Sequence, residues 1–257
     1  MLLNFERQGA HPPFYGFLHG FLGSLDNWRT IARSLALPGS YLLIDARNHG
    51  RSPHTAEMNY AVMAADLERL MDYLGIERAH WLGHSMGGKT AMYLALHAPQ
   101  RVASLIVADI APRRYTGGHE RILHALQNLN LSVTRREEVE AQLTQAIPDA
   151  GIRQFLLKGL VRDAEGRFAW RMNLPVLIQE YPNILEAVEG KPYEGPVLFL
   201  RGEYSSYIGE EDEEEIHRLF PRVQFRTVPR AGHWLHVDNP AAVLEEVGAF
   251  WQAVAIG

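Results

Sequence analysis

The residues best suited to chemistry lie in Gly83-His84-Ser85-Met86-Gly87-Gly88, directly after the apolar run Ala79–Leu82. This is a G-x-S-x-G pattern in a strand–turn–helix context. A serine on so sharp a turn projects its Oγ above the strand ends. The chain on either side passes so close that positions 83 and 87 have no room for a side chain. The turn also aims the first N–H groups of the next helix at one point, where negative charge develops during acyl transfer. The competing reading is an ordinary glycine-rich turn, and the companion segments argue against it. Leu18-His19-Gly20-Phe21 follows another apolar run, where a second oxyanion donor is needed, so the backbone N–H groups of Phe21 and Met86 are assigned to the oxyanion hole. His19 itself reads as a structural histidine holding that loop, with pocket lining as its other role.

A general base must reach Ser85 Oγ from a loop at the carboxyl edge of the same sheet. Ala231-Gly232-His233-Trp234, between the last apolar run and the last helix, supplies His233 in the right chain order. Most of the 12 histidines must be structural; His84, His236 and His49 read as structural or pocket-lining. The orienting acid has two candidates. After Pro196–Leu200, where such an acid commonly stands, the chain reads Arg201-Gly202-Glu203-Tyr204-Ser205, with serine where an aspartate is expected. Glu203 is nearby but to one side. Val107-Ala108-Asp109 places a carboxylate at the end of the preceding core strand, and Asp109 is the preferred acid.

The elements that must hold these groups are legible in the hydrophobic pattern. Phe14–Leu18, Tyr41–Ile44, Ala79–Leu82 and Val102–Ala108 read as buried strands, and Leu25–Leu35, Tyr60–Leu74 and Gly88–Ala98 as helices. This alternation predicts a mainly parallel sheet covered on both faces. From about Pro112 to Gly190 the pattern is helical with almost no strand, the best candidates being Ile122–Leu129, Val139–Ile147 and Phe155–Val161. Pro196–Leu200 and Val223–Val228 resume the strands, with helices at Glu210–Leu219 and Ala241–Trp251. The expected organisation is a core of residues 1–111 and 191–257 with a helical cap at 112–190. The six consecutive acidic residues Glu210–Glu215 read as a solvated helix start, since neighbouring helical positions fan out and do not converge on a metal.

Composition narrows the function. A net charge of −5 gives no electrostatic reason for nucleic-acid binding, and the absence of cysteine excludes disulfides, thiolate metal sites and a cysteine nucleophile. No run of about 18 apolar residues suggests a membrane span, and the start MLLNFERQG lacks the pattern of a secretory signal. A cytoplasmic protein without metal or cofactor is expected.

Taken together, Gly83–Gly88, His19–Trp28 (HGFLGSLDNW), Asp45–Ser52 (DARNHGRS), Asp109–Pro112 and Gly232-His233-Trp234 closely resemble the small bacterial serine esterases of the YbfF type. Gln154–Lys158 and Asn173–Leu177 extend the likeness into the helical segment. The resemblance runs nearly end to end. It implies an α/β-hydrolase fold with a small cap, acting on acyl esters or acyl thioesters, with the acid at Asp109. Arg201-Gly-Glu-Tyr204 departs from the relatives, which leaves Glu203 as a possible substitute.

The expected reaction is two-step acyl transfer through Ser85, with a small-molecule ester or thioester as substrate and no nucleic-acid or membrane partner. Candidate pocket walls are Phe21, Trp28, Trp234, Phe155 and Tyr181, with His19 and His84, although core packing explains each singly as well. Arg113 and Arg114 are weighed as partners of an anionic acyl group or thioester phosphate, against plain surface charge, which is preferred. The alternatives are a carbon–carbon hydrolase, lyase or perhydrolase on the same residues, or a non-catalytic receptor of the same fold. Halide or epoxide chemistry would want a carboxylate at position 85.

Overall fold

The computed structural model describes residues 1–256. Among them, a seven-stranded sheet has the order β1-β3-β2-β4-β5-β8-β9, formed by β1 (Phe5–Gln8), β2 (Phe14–Leu18), β3 (Ser40–Ile44), β4 (Ala79–His84), β5 (Val102–Ala108), β8 (Val197–Gly202) and β9 (Val223–Val228). All neighbours pair in parallel except β1, which runs antiparallel to β3 at the edge. β1 has no counterpart in the sequence reading, because Phe5–Gln8 is short, half-buried and largely polar.

Strand alternation divides the core into two layers. Tyr15, Phe17, Leu43, Leu82, Ile106 and Leu198 face α1 (Arg29–Ser34) and the last helix, Pro240–Ile256, packed around Trp28 and Trp251. Leu18, Leu42, Trp81, Leu105, Val107 and Phe199 face the other way, toward α2 (Tyr60–Leu74) and α3 (Met86–His97). The Asn59 side chain caps α2 by accepting from Val62 N, and Gly75 ends it in the left-handed conformation.

Between β5 and β8 the chain forms α4 (Glu120–Gln127), α5 (Arg136–Ala146), α6 (Ala150–Leu157), the antiparallel pair β6 (Leu160–Arg162) and β7 (Phe168–Trp170), then α7 (Leu174–Gln179) and α8 (Tyr181–Leu185). Two expectations need correction here. The stretch Phe155–Val161 is not one helix: α6 stops at Leu157, and Leu160 begins a strand. The region also contains a hairpin of three-residue strands, too short to show a period in sequence. A further revision concerns the acidic run. Glu210–Asp212 is a 3-10 turn and α9 (Glu213–Leu219) follows it, and Asp212 is buried, accepting from Gly209 N at 2.9 Å. Among the described residues no helix is long and apolar enough to cross a membrane.

Candidate active site

The strand order reverses about β2 and β4, and the crevice outside their carboxyl ends is where ligands bind in open α/β sheets. β4 delivers Ser85 there. Ser85 adopts φ +51° and ψ −117° at the N-cap of α3, a backbone conformation a non-glycine residue holds only when its surroundings enforce it. The enforcement is visible at the flanking glycines. A Cβ on Gly83 would lie 2.2 Å from Gly87 O, and one on Gly87 would lie 2.6 Å from both Leu18 O and His19 O.

Asp109 stands at the end of the adjacent strand, fully buried and with φ +55°. The two unusual turns are laced into the sheet: Ser85 N donates to Ala108 O at 3.0 Å, and Asp109 N donates to Leu200 O at 2.8 Å. The Asp109 carboxylate receives three donors. Gly202 N reaches Oδ1 at 2.9 Å, His233 Nδ1 reaches Oδ2 at 2.8 Å, and Ser205 Oγ also bonds Oδ2. Burial pushes the Asp109 carboxyl up to about 6, opposed by the Ser205 and Gly202 hydrogen bonds. Burial pushes the His233 imidazole down. Near neutrality the pair is a carboxylate beside a neutral ring. Because Nδ1–H donates to Asp109, Nε2 is left as the basic nitrogen.

Ser205 occupies the place where the sequence reading wanted an aspartate, and it serves the carboxylate that lies one strand away. Glu203 does not replace that carboxylate, which corrects the alternative left open above. Its Oε2 accepts from Arg230 N at 2.6 Å, tying the β8 loop to the turn after β9.

Other histidines hold the framework. His84 donates from Nε2 to His233 O at 2.8 Å, and its ring lies 4.7 Å from that of His233. His19 Nε2 accepts from Ala46 N at 3.0 Å and Nδ1 donates to Gly20 O at 2.8 Å. His49 Nε2 accepts from Leu22 N at 3.1 Å. Burial pushes both His19 and His49 down, which keeps them neutral and able to accept. Asp45 completes the brace, accepting from Leu25 N at 2.8 Å and Arg51 N at 2.9 Å. The Asp45–Ser52 segment thus shapes the His19–Leu22 loop. Among the described residues, neither Phe21 N nor Met86 N donates to any acceptor.

Ser85 and His233 line one cleft with Phe21, His84, Phe155 and Trp234, as the sequence suggested for those side chains. The insertion contributes His119, Ile122, Ile152 and Leu156 as further wall. Trp28 and His19 are corrections. Trp28 is fully buried in the core, its Nε1 donating to Leu18 O at 2.9 Å, and His19 is consumed by its loop. Tyr181 stands behind the wall, stacked on Phe21 at 5.3 Å with its hydroxyl accepting from His119 N. Besides Ile122, Ile152 and Leu156, two loop residues at the site have no signal in the sequence. Tyr207 stacks on His233 at 3.7 Å and 15°, and His119 packs edge-on against Phe21 at 5.6 Å. Both sit in loops, where no periodicity marks an inward-facing side chain. Arg113 pairs with Asp212 at 2.7 Å and Arg114 with Glu186 at 3.3 Å, so both guanidiniums already face carboxylates.

Comparison with known proteins gives the family of this fold. A family model described as alpha/beta hydrolase fold matches residues 17–116. The chain is 41% identical to the sn-1-specific diacylglycerol lipase ABHD11 of Mus musculus, over 93% of this chain and 80% of that one. It is 38% identical to Esterase YbfF of Escherichia coli (strain K12), over 90% and 89%. A solved structure titled marine microorganism esterase superposes with a TM-score of 0.94 at 39% identity, covering 97% of this chain and 99% of the other. The chain belongs to the α/β-hydrolase family. Within it, the protein is a carboxylic-ester hydrolase, similar to the bacterial YbfF-type esterases.

Proposed function

We propose that the protein cleaves acyl esters through an acyl-enzyme on Ser85, with His233 as general base and Asp109 as its orienting acid. The observation that carries this reading is the 2.8 Å bond from His233 Nδ1 to the buried Asp109, beside a serine on a strained elbow in the same cleft. His233 Nε2 takes the proton as Ser85 Oγ attacks the carbonyl carbon. The tetrahedral oxyanion rests on the N–H groups of Phe21 and Met86, both otherwise unengaged among the described residues. His233 then gives the proton to the departing alkoxide, and a water repeats the sequence to release the acid.

The cleft wall of Leu22, Ile122, Ile152, Phe155, Leu156 and Trp234 suits an apolar acyl group, and residues 112–190 act as a cap over it. Acyl thioesters are a second substrate class, since the same step expels a thiolate. The relatives' lipase and esterase names favour oxygen esters.

The test is hydrolysis of p-nitrophenyl esters of increasing chain length by wild type, Ser85→Ala and Asp109→Asn. Ser85→Ala is expected to lose roughly 10⁴-fold or more in kcat, and Asp109→Asn a comparable factor. Retention of activity by Ser85→Ala ends the proposal. Fluorophosphonate labelling of Ser85 without turnover of any ester would keep the site and reject the substrate class.

A further inference from the structure

Lys89 is unused by this mechanism and unusually placed. It lies in the first turn of α3, its N–H donating to Ser85 O at 3.0 Å, yet the whole residue is only 1% exposed. Among the described residues its ammonium makes no ion pair. It donates instead to two backbone carbonyls, Arg113 O at 2.7 Å and Glu186 O at 2.6 Å, with the ring of Tyr115 at 4.8 Å and that of Tyr60 at 5.7 Å. These carbonyls belong to the two chain segments by which the insertion leaves and rejoins the core. The segments also pair with each other: Tyr115 N donates to Leu185 O at 2.8 Å, and Val188 N to Pro112 O at 2.7 Å. One side chain from the helix that carries the nucleophile therefore holds both hinges.

We infer that Lys89 is a positioning residue that clamps both hinges of the insertion to the Ser85 helix and so sets the width of the acyl cleft. The inference rests on Ser85 as nucleophile. Burying a lone ammonium is costly, and two carbonyls with two aromatic faces recover only part of that cost. A methionine of similar length has no donor for either carbonyl, so what the amine adds at this position is its hydrogen bonds. Ile122, Ile152, Phe155 and Leu156, carried by α4 and α6, are the walls that a loosened hinge would move. Those walls share the cleft with Ser85, so a long acyl chain should depend on them more than an acetyl group does.

Protonation should modulate the clamp. The charged and titratable groups around Lys89 are Arg113 and Glu186 on the hinges, their partners Asp212 and Arg114, and the phenols of Tyr60 and Tyr115. Burial first, then the Arg113 charge, lower the Lys89 pKa to about 7, against a raising effect from Glu186. Burial raises both phenols. As pH rises, the ammonium becomes an amine, a weaker donor to the same carbonyls.

Two measurements on the full chain test the inference. In Lys89→Met, kcat/KM for p-nitrophenyl octanoate should fall about tenfold or more, chiefly through KM, while that for the acetate changes less than about threefold. Equal losses on both esters, or no loss, overturn it. If Lys89→Met does not fold, wild-type hydrogen exchange decides. Protection at Tyr115 N and Val188 N, corrected for intrinsic rates, should fall between about pH 6 and about pH 9 relative to β5 amides, and an unchanged ratio refutes the clamp. Fluorophosphonate labelling of wild type separates the two readings. If Ser85 does not label, the nucleophile assignment fails, and the exchange result still judges the clamp.

Discussion

Ser205→Ala should move the acid limb of the pH–activity profile upward, leaving the alkaline plateau nearly intact. The Ser205 hydroxyl is one of three donors to the buried Asp109 carboxylate, beside Gly202 N and His233 Nδ1. A hydrogen bond to a charged group contributes about 1.5–3 kcal/mol, and one pKa unit corresponds to about 1.4 kcal/mol. Removing it should raise the Asp109 pKa by about one to two units. Starting from about 6, the variant's carboxyl would titrate around 7 to 8. The sign is fixed by mechanism: the proposed base needs an ionised Asp109, so activity falls as pH drops through that value. At pH 7 the loss should be about twofold to tenfold, and by about pH 9 it should largely vanish. The assay is kcat/KM for a p-nitrophenyl ester from pH 5 to 9, corrected for spontaneous hydrolysis. Asp109 and His233 are coupled, so the limb reports the pair. Asp109→Asn, with no carboxyl to ionise, should be low throughout. A Ser205→Ala profile that superimposes on wild type, or drops equally at every pH, refutes the reasoning.

Other consequences are open to direct measurement. Glu203→Gln should keep kcat/KM within about twofold, because Glu203 engages Arg230 N and not His233; a loss as deep as that of Asp109→Asn would restore Glu203 as the acid. Phe155→Ala, which opens the cleft wall beside Trp234, should weaken long-chain esters more than acetate, and a uniform effect would remove Phe155 from the acyl site. Trp28→Ala should cost about 3–5 kcal/mol in urea unfolding as a core cavity, a much larger effect than any change in ester selectivity. Asp66→Asn should cost about 3–5 kcal/mol, because Arg47 Nε, 2.7 Å from Asp66, is buried with it; a shift below about 1 kcal/mol would mean Arg47 finds another partner.

Much of this framework is legible in the sequence. Phe14–Leu18, Val102–Ala108, Val223–Val228 and Tyr60–Leu74 match their elements end to end, since each is a complete apolar run or stripe bounded by turn residues. The failures have a common physical cause. β1 and the β6–β7 pair are short and derive their structure from partners distant in sequence or from a local turn, not from a period of their own. Ser85, Asp109 and His233 are readable because strand ends and tight turns leave marks in residue type. The cleft wall is less so. An aromatic residue after a strand reads alike whether it points to the core, as Trp28 does, or to the cleft, as Trp234 does. The reach of Ser205 to a carboxylate on another strand is a tertiary fact with no local signature.

The lacing of Ser85 to Ala108 and of Asp109 to Leu200 bears on how the protein fails when warmed. The Ser85 and Asp109 turns are stitched into three neighbouring central strands, so they come apart only when the sheet itself does. The insertion is held by side-chain and loop contacts: those of Lys89, the Tyr60 hydroxyl on Ile184 O at 2.6 Å, Asn173 on Asn48, the Arg113–Asp212 ion pair, and a short pairing between its own ends, with no strand shared with the central sheet. Local opening follows the weaker attachment. Discrimination among acyl chains should therefore erode at temperatures where turnover of small esters persists, and the enzyme should pass through an indiscriminate state before an inactive one.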